Sequence, residues 1–163
     1  MLGDISEGRP NLGQTMNVVV YRLMQFTLRD VLIRKIGVEE ADRTFYEAGE
    51  EAGRQLYQNV LTKKTGSFDE FINELQQVLK ELQVGILRVE AANLEELTFT
   101  LTVAEDLDCS GLPVCEEQIC TYDEGFIQGI LSSYTGRNFR VKEVDCWCSG
   151  DRVCRFDVRP ENK

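Results

Sequence analysis

The chain has 163 residues, with 28 acidic against 18 basic side chains, a formal net charge of −10 and no histidine. That length suits one domain able to bury about two-thirds of its unfolded surface without staples. The charge argues against nucleic acid and anionic membrane surfaces, which need clustered Lys and Arg, and the missing histidine excludes His-dependent triads and histidine metal ligands.

The start, Met1 to Pro10, is polar and lacks the apolar stretch of a signal peptide. The longest apolar runs, such as Val18 to Tyr21, fall far short of the roughly 20 residues needed to span a bilayer. A cytoplasmic protein with no membrane partner is the expectation. In that compartment thiols stay reduced, so the six cysteines suit metal binding better than disulfides.

Residues 1–12 read as a flexible N-terminal lead, punctuated by Gly3, Gly8, Pro10 and Asn11, and 13–163 as a single domain. From Leu12 to Ile36, Met16, Val19, Val20, Leu23, Phe26 and Val31 recur at helical spacings. Their stripe is wide enough to predict a well-buried helix, with Gly37 as its C-terminal cap. A second helix is expected from Val38 to Lys64. Ser67-Phe-Asp-Glu70 reads as a capping box opening a third, with Phe71, Leu75, Val78 and Leu79 on its apolar side.

The period changes at Gly85. Ile86–Ala91 and Leu97–Val103 alternate in twos and are joined by a turn at residues 92–95, the signature of a hairpin. A loop carrying Asp106, Asp108, Gly111 and Pro113 leads to a fourth helix over Val114–Tyr134. Two strands near Phe139–Cys148 and Val153–Val158, linked by a tight turn at Ser149–Asp151, finish the chain. The predicted fold class is α+β, an antiparallel four-stranded sheet packed against a helical layer in the order α-α-α-β-β-α-β-β.

The chemistry concentrates in the cysteines. Cys146 and Cys154 lie on the last two strands, across a tight turn, and Cys120 opens the helix that must cover their sheet. Three sulfurs can therefore converge, and tetrahedral zinc asks for one ligand more. The candidates are Glu143, Cys148 and Cys115. Cys148 shares the strand face of Cys146 by alternation, and Cys115 lies just ahead of Cys120. Glu143 stands three residues before Cys146, so a regular strand would turn it to the other face, and only a bulge or an irregular strand end brings both to one ion. The competing reading is that buried free thiols simply fill a core. Four protein ligands would make a closed, structural zinc site, whereas three would leave a position for an activated water.

Paired glycines, Gly49 with Gly53 and Gly125 with Gly129, fall inside predicted helices. Each costs about 1 kcal/mol there relative to alanine, so close helix contact is expected, or else space left for a ligand. An apolar pocket between helices and sheet is the default small-molecule site, with Phe99, Tyr122 and Phe126 as its lining candidates. The acidic pairs Glu50-Glu51, Glu95-Glu96 and Glu116-Glu117 read as solvated faces. No nucleophile elbow, Walker or Rossmann pattern occurs, so there is no catalytic constellation and an enzyme is not the leading expectation.

The segment Glu143-x2-Cys146-x3-Gly150-x3-Cys154-x-Phe156, with Cys120-x4-Gly125-x3-Gly129 and Ala48-Gly49-x3-Gly53 before it, resembles the 4-vinyl reductase domain family. The resemblance runs from about Leu12 to Val158, and Tyr21-Arg22-Leu23 fits it as well. It implies a helical layer on an antiparallel sheet, a fold shared with subunits of the TRAPP tethering complex. It also implies a zinc ion held by three cysteines and one glutamate, matching Cys120, Glu143, Cys146 and Cys154, beside an apolar effector pocket, in a domain that commonly forms homodimers. Phenol-sensing members use a pocket histidine that this chain lacks, so recognition of that type is not implied. The expected function is a zinc-containing domain that binds a small apolar ligand as sensor or carrier. The alternatives are an accessory protein or reductase acting on a tetrapyrrole or other vinyl substrate, and a dimeric scaffold of the TRAPP kind.

Overall fold

The computed structural model describes residues 4–61, 66–115 and 119–161. The Glu116-Glu117 pair and the expected end of the second helix at Lys64 lie outside them. The elements in chain order are α1 (Ile5–Gly8), α2 (Val18–Ile36), α3 (Val38–Asn59), α4 (Phe68–Glu81), β1 (Ile86–Asn93), β2 (Thr98–Ala104), α5 (Thr121–Thr135), β3 (Phe139–Asp145), a 3-10 turn (Trp147–Ser149) and β4 (Cys154–Pro160). The four strands form one antiparallel sheet in the order β1-β2-β4-β3, so the second hairpin is inserted beside β2 with β4 inward. Helices cover one face, and the α+β class read from the sequence is the architecture found.

Several boundaries follow from local chemistry. Ser67 and Glu70 form the expected reciprocal capping box at the start of α4. Gly37, at φ +86, ends α2 and opens α3, a backbone region that side chains other than glycine rarely adopt. The fourth long helix begins at Thr121 and not at Val114. The backbone before it is engaged elsewhere, since the Cys115 amide donates to the Cys148 carbonyl at 2.7 Å and ties this stretch to the 3-10 turn.

The core lies between α4, α5 and the sheet. Phe71 stacks on Tyr134 at 3.9 Å between ring centres, and Phe68 stacks on Phe99 at 5.1 Å. Helices α3 and α5 cross so closely that a Cβ on Gly49 would sit 2.0 Å from the Tyr122 carbonyl oxygen, and one on Gly125 would sit 2.0 Å from that of Tyr46. Gly53 and Gly129 meet backbone at 2.2 and 2.1 Å in the same way. The paired glycines therefore serve close helix contact.

Helix α2 departs from expectation. Its apolar residues face outward, with Val19, Val20, Leu23, Met24 and Leu28 all more than half exposed, and Gln25 is its one buried residue. The face turned inward is polar. Tyr21 and Gln25 donate to Asp108 at 2.7 and 2.6 Å, Arg22 donates to the carbonyls of Leu107 and Ser110, each at 2.8 Å, and Arg29 pairs with Asp42. Helical period locates a stripe, but it does not say which side meets the core. Here the 106–110 loop offers carboxylate and carbonyl acceptors, and the polar stripe goes to them.

Candidate metal centre

Four elements each carry one thiol to a common point. Cys120 occupies the N-cap of α5 and makes no side-chain capping bond. Cys154 opens β4, Cys146 leaves the end of β3, and Cys109 sits on the loop after β2. The Sγ atoms of Cys109, Cys120, Cys146 and Cys154 all lie within 4.8 Å of one another, and all four residues are buried. Cys109 and Cys154 approach to 3.1 Å and Cys120 and Cys146 to 3.7 Å.

Each thiol is positioned by its backbone. Asp106 Oδ1 accepts from the amides of Asp108 and Cys109 at 2.9 and 3.0 Å, an Asx turn that aims Cys109 inward. Arg22 then clamps the carbonyls on either side of that turn. The Ser149 hydroxyl and amide and the Asp151 amide wrap the Cys146 backbone, and Gly150, at φ +103, closes the turn.

The strand carrying Glu143 is bulged. Glu143 pairs with Phe156 and Asp145 with Arg155, so Val144 is extra on its strand and the alternation slips by one. Glu143 and Cys146 consequently both face the core. An α5 side chain secures the bulge, because buried Glu124 accepts from the Glu143 amide at 2.8 Å and from Lys142 Nζ at 3.0 Å. The Glu143 carboxyl meets Cys120, Cys146 and Cys154, and its pKa rises to about 8 through burial and the nearby Cys146.

The remaining thiols sit to one side. Cys148 is buried in the 3-10 turn, and its pKa rises to about 12 through burial, with Cys146 and Cys115 beside it. Cys115 is exposed. Neither belongs to the four-sulfur group. Cys148 lost its expected strand-face position because the strand ends at Asp145 and the chain turns. Cys109, absent from the sequence-derived candidates, is present in the group. The signal that could have found it is the Asp106-x-Asp108-Cys109 Asx-turn pattern in a loop otherwise read only as a connection.

The electrostatics of the group call for a positive charge. Hydrogen bonds from Cys109, Cys120 and Cys154 pull the Cys146 thiol far down, and the bond with Cys109 and then the other two push Cys120 far up. One thiolate held by protonated neighbours is what a sulfur cluster adopts when no cation sits at its centre. Four soft donors at tetrahedral reach suit zinc, which such thiolates bind at about 2.3 Å.

Beside this group lies a core cavity of about 30 Å³, lined by apolar residues of α4, the sheet and α5, Phe126 and Ile130 among them, and by the carboxyls of Asp106 and Asp123. Phe126 is the one expected pocket residue that lines it. Tyr122 is ring-stacked with Phe126 at 6.4 Å, and Phe99 belongs to the aromatic cluster with Phe68 and Phe139.

An α+β chain with a C-terminal thiol hairpin folded onto a glycine-lined helix pair defines a class, and comparison with known proteins places it. The family model of the vinyl-4-reductase domain matches residues 99–160, from β2 to the end of β4, and the chain carries a domain of that family. An uncharacterised protein from Methanocaldococcus jannaschii is 26% identical over 149 residues, spanning 91% of this chain and 80% of its own length. Among solved structures, the phenol-responsive sensory domain of the transcription activator PoxR superposes with a TM-score of 0.72 at 17% identity, over 91% of this chain and 76% of that one. A vinyl-4-reductase family protein from M. jannaschii gives 0.63 at 20% identity, over 98% and 94%. Subunit 3 of the trafficking protein particle complex from Naegleria fowleri gives 0.69 at 13% identity, over 90% and 96%. These structures share the fold, as the sequence resemblance implied. Among the described residues no helix is long and apolar enough to cross a membrane.

Proposed function

We propose that this chain is a zinc-containing, homodimeric domain of the vinyl-4-reductase type that binds a small apolar ligand as sensor or carrier. The observation that carries the reading is the convergence of four buried sulfurs within 4.8 Å of one another. Cys109, Cys120, Cys146 and Cys154 hold the ion, and Glu143 stands against them. With four protein ligands the ion is structural, locking the last hairpin to α5 and to the loop that α2 grips. The apolar cavity borders this lock, so occupation of one bears on the other. The fold is that of a phenol-responsive sensory domain, which supports a ligand-sensing role. The exposed apolar face of α2 supports pairing with a second copy.

Elemental analysis of protein purified without added metal tests the first half. About one zinc per chain, lost in a Cys146→Ser variant, is the expected result for a closed four-ligand site. Mass spectrometry of denatured protein tests the second half, through recovery of a stoichiometric small apolar compound. Protein with neither metal nor compound would refute the reading.

A further inference from the structure

We propose that Asp106, Cys120 and Asp123 form a second divalent-cation site, which shares the Cys120 sulfur with the four-thiol group and keeps one coordination position open toward the core cavity. Their ligand atoms lie within 4.8 Å of one another, and all three residues are buried. Asp106 Oδ1 is committed to the two amides of its Asx turn. Asp123 is only 8% exposed, and its Oδ2 has no hydrogen-bond partner among the described residues. Both carboxyls line the cavity.

An unpaired carboxyl in an apolar surround is costly to bury unless something compensates it. The neighbours make that harder to avoid. Asp108, also buried, sits beside this pair and is held by Tyr21 and Gln25, and Arg22 spends its guanidinium on backbone carbonyls. Four thiolates around one dication leave an excess of negative charge against which the two carboxyls abut. A second dication coordinated by Asp106, Asp123 and the Cys120 sulfur neutralises both carboxyls and gives the Asp123 oxygen its partner. Two carboxylates with one thiolate suit zinc or cobalt(II) and not magnesium or calcium, which take oxygen donors only.

Three protein ligands leave the fourth tetrahedral position free. It faces a space of about 30 Å³, and a single water needs roughly 10–15 Å³ of such space. The cavity therefore admits a water, or a small ligand atom that replaces it, directly on the ion. The second site rests on the four-thiol group being a metal centre, and the test separates the two.

The experiment loads wild-type and Asp123→Asn protein anaerobically with excess zinc, removes loose metal by gel filtration and counts zinc per chain. Two ions in the wild type and one in Asp123→Asn, with the folded circular-dichroism spectrum retained, is the expected result. One ion in both proteins overturns the second site and leaves the first standing. No ion in either overturns both. Should Asp123→Asn fail to fold, the wild-type count still decides, because cobalt(II) titration must show a second equivalent bound after the first saturates.

Discussion

Glu143 and Cys146 stand three residues apart on one chain and both face the core, which the extra residue Val144 in the β3–β4 register makes possible. The carboxylate of Glu124, reaching from α5, holds the amide of Glu143 at that slip. The bulge is thus a joint between helix and sheet, placed where the thiols meet. Replacing Glu124 by Ala leaves a buried amide unsatisfied. The expected cost is about 1–3 kcal/mol in denaturant unfolding, together with weaker zinc retention against a competing chelator. Unchanged retention would separate the bulge from the metal group.

The α3–α5 crossing has no room for a methyl group. A Gly125→Ala variant drives its Cβ to within 2.0 Å of the Tyr46 carbonyl oxygen, and backbone cannot give way as a side chain can. Overpacking of this kind costs about 1–3 kcal/mol or more. A fall in melting temperature at fixed zinc checks it, and an unchanged value would contradict the crossing.

Acidity and metal act in opposite directions. In metal-free protein burial raises Asp106 to about 7 from 3.8 and Glu143 to about 8 from 4.5, and it raises Asp108 and Asp123 too. A folded-state value above the unfolded one gives stability that is full below the unfolded value and lost as pH rises through the folded one. Cys146, pulled down, works the other way, but the carboxyls outnumber it. Metal-free protein should melt at lower temperature near pH 8 than near pH 5. Added zinc, which needs deprotonated thiols, should stabilise more at the higher pH. Melting curves at both values with chelator and with zinc decide, and greater metal-free stability near pH 8 contradicts the effect of the buried carboxyls.

The outward face of α2 gives a fourth expectation. Leu23 is 65% exposed on an apolar stripe. Leu23→Glu should convert a dimer, measured by light scattering, into a monomer with little loss of monomer stability, since surface substitutions usually stay within about 0.5 kcal/mol. A wild-type monomer would refute pairing through this face.

The sequence made the layers, the antiparallel sheet and the convergence of Cys120, Cys146 and Cys154 legible, because period-two and period-3.6 patterns and a tight terminal hairpin encode them locally. It identified the need for a bulge between Glu143 and Cys146, since alternation alone would have separated them. It could not show which face of α2 meets the core, because that depends on acceptors in a loop far along the chain. Cys109, Asp106 and Asp123 were passed over for the same reason. Their meeting is a long-range event that no spacing rule carries.

X-ray absorption spectroscopy at the zinc edge, on protein loaded with one equivalent of the metal, is the decisive experiment for the four-thiol centre. The expected first shell is four sulfurs at about 2.3 Å, with one sulfur lost in Cys109→Ser and none in Glu143→Gln. A shell of three sulfurs and one oxygen at about 2.0 Å, unchanged in Cys109→Ser, would overturn it.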